Sequence, residues 1–230
     1  MSRILAFVTL LLGVALSSTG AVAAQTPSAD VDVASVRKAV LAANPAALVA
    51  ALGTPPGDAE LPEGFVNPPS GTPESAGLGD VFAFSLGEDE TAVGSVNHAF
   101  QTDSSVVPGL VSQGFLTYIV QDAEITEDAL AAFEELARQN VDTGDDATEA
   151  SVQRVGMGGT QTVQISVVTE VSGISATVQF VAIPVGNTMV ISMVLSANQS
   201  ALDPAELLPF AEALALAGVQ HLGTVAATGA

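Results

Sequence analysis

The stretch Thr162–Ala197 reads TVQISVVTEVSGISATVQFVAIPVGNTMVISMVLSA. Apolar side chains occupy every second position in three successive runs. The first holds Val163, Ile165 and Val167, the second Ile174, Ala176, Val178, Phe180 and Ala182, the third Met189, Ile191, Met193 and Leu195. A period of two sends neighbouring side chains to opposite faces of a strand. Ser172-Gly173 and Gly186-Asn187 separate the runs, and short turns of such residues predict an antiparallel meander. Burying one face of it is worth about 1.5–3 kcal/mol per large side chain, enough to hold a fold together.

The interleaved positions are equally informative. Thr162, Gln164, Ser166 and Val168, then Ser175, Thr177, Gln179 and Val181, then Val190, Ser192, Val194 and Ser196 carry hydroxyls, amides and valines but no charge. The chain has 25 acids against 5 Lys plus Arg, a formal charge of −20, so an ordinary solvated face would show some of them. Either the N-terminal helices cover this face as a third layer, or it meets a ligand or partner.

Outward from the meander, helix signals appear on both sides. Asp203-Pro204-Ala205-Glu206 supplies an N-cap, a proline at the first helical position and an acid at the third. Leu207, Phe210, Ala211 and Leu214 form the stripe of that helix, and Gly218 reads as its end. Upstream, Thr126 caps a helix from Glu127 to about Gln139, with Leu130, Phe133 and Ala137 as its apolar stripe. Val81–Leu86, Val93–Gln101 and Leu116–Gln121 read as strands. Glu88-Asp89-Glu90 reads as an acidic turn, and Asp142–Glu149 as an exposed acidic loop. The fold class is therefore α+β, an antiparallel sheet whose apolar face is covered by helices. A ferredoxin-like arrangement is the alternative, but it needs a helix between successive strands of the meander.

The N-terminal quarter differs in kind. Arg3, the apolar run Ile4–Leu16 and the small residues Ser17–Ala24 have the order of a secretory signal peptide, cleaved near Ala24. Thirteen apolar residues are too few for a spanning helix, which takes about 20. No later stretch reads as a membrane span. Val33, Val36 and Val40 mark a short helix stopped by Asn44-Pro45, and Ala46–Leu52 a second closed by Gly53. Residues 54–80 hold six of the twelve prolines and read as a linker, with Leu61, Phe65 and Val66 as anchors. The expected organisation is a signal peptide (1–24), a helical segment (25–53), a linker (54–80), an α+β domain (81–222) and a flexible tail (223–230).

Composition limits the chemistry. Without Cys, thiolate zinc sites, disulfides and thiol nucleophiles are excluded. Five basic residues cannot form the clusters that grip phosphate backbones, so no nucleic-acid partner is expected. No Gly-x-Ser-x-Gly elbow occurs. Gly156-Met157-Gly158-Gly159-Thr160 lacks a phosphate loop's lysine and reads as a turn. His98, between Val96 and Phe100, reads as a core or rim histidine, and His221 as a favourable charge near a helix C-terminus. Glu88–Glu90 and Asp142, Asp145, Asp146 and Glu149 offer oxygen ligands for calcium but lack the spacing of a calcium loop. Trp is absent and Tyr118 is the sole tyrosine, so sugar-stacking platforms are nearly missing. Asn198-Gln199-Ser200 matches a glycosylation sequon.

The run Gln161–Ala197, followed by DPAELLPFAEALALAGVQHL from Asp203, resembles the C-terminal half of PsbP-like domains. The resemblance covers roughly residues 81–222. It implies an antiparallel sheet flanked by helices and a non-catalytic binding or scaffolding role, and it supplies no site residues. The expectation is an exported soluble module that binds an unknown protein or small molecule. It has no catalytic, cofactor or metal residues and no stable membrane insertion once the signal is cleaved. The alternative is a secreted hydrolase using paired carboxylates.

Overall fold

Ile165 pairs with Phe180, and Phe180 pairs with Met193, so the three alternating runs stack in register. A computed structural model describes residues 31–68, 92–102, 111, 113–142, 147–171, 174–198 and 202–229. Outside them lie the signal segment, all of 69–91 with Val81–Leu86 and Glu88–Glu90, and also Asp145, Asp146, Ser172-Gly173 and Gln199-Ser200.

In chain order the elements are α1 (Val33–Ala42), α2 (Pro45–Leu52), β1 (Phe65–Val66), β2 (Ala92–Thr102), β3 (Gln113–Gln121), α3 (Glu127–Asp142), β4 (Ala147–Met157), β5 (Thr160–Val171), β6 (Ile174–Val185), β7 (Thr188–Asn198) and α4 (Pro204–Ala227). The seven strands form one antiparallel sheet in the order β1-β2-β3-β7-β6-β5-β4. The fold class is thus α+β, as the alternation requires. No helix interrupts the β4–β7 meander, which separates it from the ferredoxin-like order.

The meander has a fourth strand. β4 begins at Ala147, so Ala147, Thr148 and Glu149 belong to a strand rather than to the acidic loop. Val152 supplies the reason, packing on the same core as α3, while Arg154 on the same face reaches the acids of that helix. The β4–β5 turn is Gly158-Gly159, both left-handed at φ 56° and 81°, a backbone that favours glycine.

The helices divide between the two faces instead of sharing one. Leu130, Phe133 and Ala137 of α3 bury against Ile165, Phe180, Met193 and their neighbours. Helix α4 lies on the opposite face, where Leu207, Ala211 and Leu214 meet Val181, Val190 and Val194. The uncharged face is therefore a buried interface. Thr162, Gln164, Thr177, Gln179, Ser192 and Ser196 are all nearly inaccessible. Their polar atoms are satisfied locally. Ser192 Oγ donates to the Ala211 carbonyl at 2.6 Å, and Thr177 Oγ1 to the Leu202 carbonyl at 3.0 Å.

Helices α1 and α2 pack beside α4, burying Val40, Leu48 and Leu52 in the same core. Asn44 and Pro45 do more than stop α1. Asn44 caps α2 by accepting from the Ala47 N–H at 3.1 Å, and Pro45 starts it. Of the three proposed anchors in the proline-rich segment, Leu61 and Phe65 are buried while Val66 is exposed. Phe65 and Val66 add a two-residue edge strand to β2.

Helix α4 does not stop at Gly218. It continues to Ala227, with Val225 and Ala226 buried, so the tail expected over 223–230 is helical to Ala227. Gly218 is used for closeness, since a Cβ there would stand 2.8 Å from Leu116 Cδ2 and 2.9 Å from Val190 Cγ1. At 24 residues α4 also has the length and apolarity of a membrane span, which the sequence reading did not assign to any later stretch. Twelve of its residues are buried, with Leu207, Phe210, Leu214 and Leu222 in the same core as the sheet, as in a core helix.

Candidate functional site

Successive hairpin ends of a meander alternate, so the β4–β5 and β6–β7 turns lie at one end of the sheet. The N-termini of α1 and α3 reach the same end. Together they line a cleft of about 550 Å³, formed among others by Asp32, Arg37, Glu124, Glu127, Gly158 and Gly186. That size falls within the range of small-molecule sites. Val33, Ile125 and Leu130 give it an apolar part.

Each charged group in the cleft has a defined partner. Asp32 caps α1, accepting from Ser35 Oγ at 2.6 Å and from the Ser35 N–H at 3.2 Å. These bonds hold its carboxyl below the usual aspartate value. Arg37 Nε donates to Glu124 Oε1 at 2.8 Å, an ion pair that ties α1 to the loop before α3. Glu127 pairs with Arg154 of β4, and Thr126 Oγ1 accepts from the Ala129 N–H at 3.2 Å to cap α3. Three carboxylates against two guanidiniums, Arg37 on Glu124 and Arg154 on Glu127, leave the cleft net negative by one charge, that of Asp32. This arrangement can hold a ligand, and it presents no nucleophile paired with a base.

The two histidines meet through a third ring. The Tyr118 ring centroid is 6.1 Å from that of His98 and 6.3 Å from that of His221. His98 Nε2 lies 2.8 Å from the Leu52 carbonyl oxygen, and because a carbonyl only accepts, Nε2 carries the hydrogen. That agrees with a core or rim histidine. His221 departs from its expected place, since it lies inside α4 and is 6% exposed. Its Nε2 donates to the Thr54 carbonyl at 3.1 Å, and its Nδ1 is 3.2 Å from Glu60 Oε2. Both rings thus fasten the end of α2 and the chain that follows it. This cluster ties elements together, and its residues are not among those that line the cleft.

One more acid stands out. Desolvation pushes the Glu212 carboxyl of α4 above its ordinary value, partly offset by the bond it accepts from Gln164 Nε2 at 2.9 Å. Gln153 Nε2 in turn donates to Gln164 Oε1 at 3.1 Å, making a ladder from β4 through β5 to α4. Glu212 is not among the residues of the cleft.

Of the calcium candidates, Asp142 ends α3 and Glu149 is an exposed strand residue. Among the described residues no group of three or more His, Asp or Glu is placed to hold a metal. The Gly156–Thr160 run is the β4–β5 turn and its flanks. Sequence reasoning identified Thr126 only as a helix cap and missed the Arg37–Glu124 pair altogether. The available signal was the two glycine turns falling at one end of the meander. No family model matches the chain, and no curated protein matches it in sequence.

Proposed function

We propose that the protein is an exported, non-catalytic binding module, and that the turn-end cleft receives a small organic cation. The observation that carries this reading is the make-up of the cleft. Asp32, Glu124 and Glu127 outnumber the two guanidiniums that reach them, Arg37 and Arg154, beside the apolar Val33, Ile125 and Leu130. A cation with an apolar body matches both features. The formal charge of −20 raises the local concentration of such a ligand. Hydrolysis by paired carboxylates has less support. It needs one acid held protonated beside a second, and Glu212, whose carboxyl is pushed up, lies elsewhere.

Phenethylammonium and phenylacetate, of similar shape and opposite charge, make the test. Backbone amide shifts of Gly158, Gly159 and Gly186 should move on titration with the ammonium compound and stay still with the carboxylate. Equal responses to both, or shifts scattered over the surface, would contradict the cleft as a cation site.

A further inference from the structure

Strand β4 ends the sheet order, and among the described residues it pairs with β5 alone. Its outer side is an eleven-residue edge, Ala147–Met157, with no proline, no lysine and only Glu149 and Arg154 as charges. Natural edges of this length are usually guarded by such residues or by bulges. The one irregularity lies between Ala147 and Glu149, and from Glu149 to Met157 the ladder is regular. Ala150, Ser151, Gln153 and Gly156 are exposed along it. At the other end of the sheet the two-residue β1 pairs with Gln101 and Thr102 of β2.

The charge beside the edge indicates what fits. Helix α3 packs over β4 and carries Glu127, Asp128, Glu134 and Glu135 against Arg138. Arg154 is already engaged by Glu127 and Glu134. A second copy pairing β4 with β4 would bring two such acidic helices together in molecules of charge −20. We infer that the β4 edge accepts an extended basic segment of another protein as an added strand. Backbone hydrogen bonds supply the affinity, and Lys or Arg on the side facing α3 supply the charge match. This deepens the binding reading but uses a surface separate from the cleft, so either one can fail alone.

The probe is a labelled peptide of eight alternating Lys and Val residues. Its controls are the Glu–Val counterpart and a Lys–Val peptide N-methylated at every position, which keeps the charge but leaves no N–H on either edge to form a ladder. The Lys–Val peptide should slow hydrogen exchange of β4 amides. The N-methylated form and the A150K variant should each weaken binding at least tenfold. Ala150 is exposed on the same face as Val152 and Arg154, the face toward α3, and a thermal melt confirms that the variant is folded. Equal binding of the N-methylated peptide, or exchange slowed anywhere but in β4, would overturn the inference. So would a dimer whose β4 amides are protected without peptide, which would assign the edge to a second copy.

Discussion

The hydroxyl of Tyr118 donates to the carbonyl oxygen of Gly218 at 3.3 Å, across the buried seam between β3 and the middle of α4. Both residues are specialised for that seam. Burial, with the nearby Glu60 carboxylate adding to it, pushes the Tyr118 hydroxyl well above the usual tyrosine value. A proton bound more tightly in the fold contributes stability that is complete below the unfolded value near pH 10 and falls as pH rises above it. Tyr118 is the sole tyrosine, so phenolate absorbance reports it alone. Phenolate should appear only together with loss of the far-ultraviolet circular dichroism. Its appearance near pH 10 in a still-folded chain would refute the buried seam.

Gly218→Ala tests the closeness of the same seam. A methyl would stand under 3 Å from Leu116 and Val190. Overpacking of this kind costs about 1–3 kcal/mol, against about 1 kcal/mol gained from helix propensity. Net destabilisation in urea is expected. A gain in stability would contradict the close approach of α4 to Leu116 and Val190 at this position.

At Glu212 the sign is reversed relative to an ordinary paired carboxylate. Its raised value means that the fold prefers the protonated form, so its contribution is complete at low pH and is lost as pH rises through the ordinary glutamate range. Glu212→Gln keeps a partner for Gln164 and removes the charge. The variant should be the more stable at pH 7, with the difference shrinking toward pH 3. Denaturation at the two pH values checks this, and a less stable variant at pH 7 contradicts it.

Arg154 holds α3 to the edge of the sheet, its Nη2 lying 2.9 Å from Glu134 Oε2 and its Nε 3.0 Å from the same atom. Glu134 is mostly buried, so the pair is worth more than a surface bridge. Arg154→Ala should cost about 1–2 kcal/mol and loosen exchange of α3 amides before those of α4. Uniform loosening of both helices would contradict the division of the helices between two faces.

The meander was legible because alternation at Val163–Leu195 records burial directly. Four features were not, for separate reasons. Strand β4 lacks a strong apolar stripe, since Val152 shares the face toward α3 with the exposed Ala150 and with Arg154. The assignment of α3 and α4 to opposite faces was not legible: the uncharged residues at 162–196 pointed to a covered face, with the N-terminal helices or a partner as the cover. Helix α4 is the principal cover, as the bond from Ser192 to the Ala211 carbonyl shows. The meeting of His98 with His221 around Tyr118, and of Arg37 with Glu124, depends on long-range packing that no local period encodes. Gly218 misled because absence of a side chain serves both helix ends and close contacts.

The most direct test of the three-layer arrangement uses the absence of native cysteine. Single thiols introduced as Ser192→Cys, beneath α4, and Ser151→Cys, on the exposed edge, can be followed by reaction with a thiol reagent. The thiol at 151 should react at once, and that at 192 only as fast as the chain unfolds. Equal, rapid reaction of both in the folded protein would show that α4 does not cover this face.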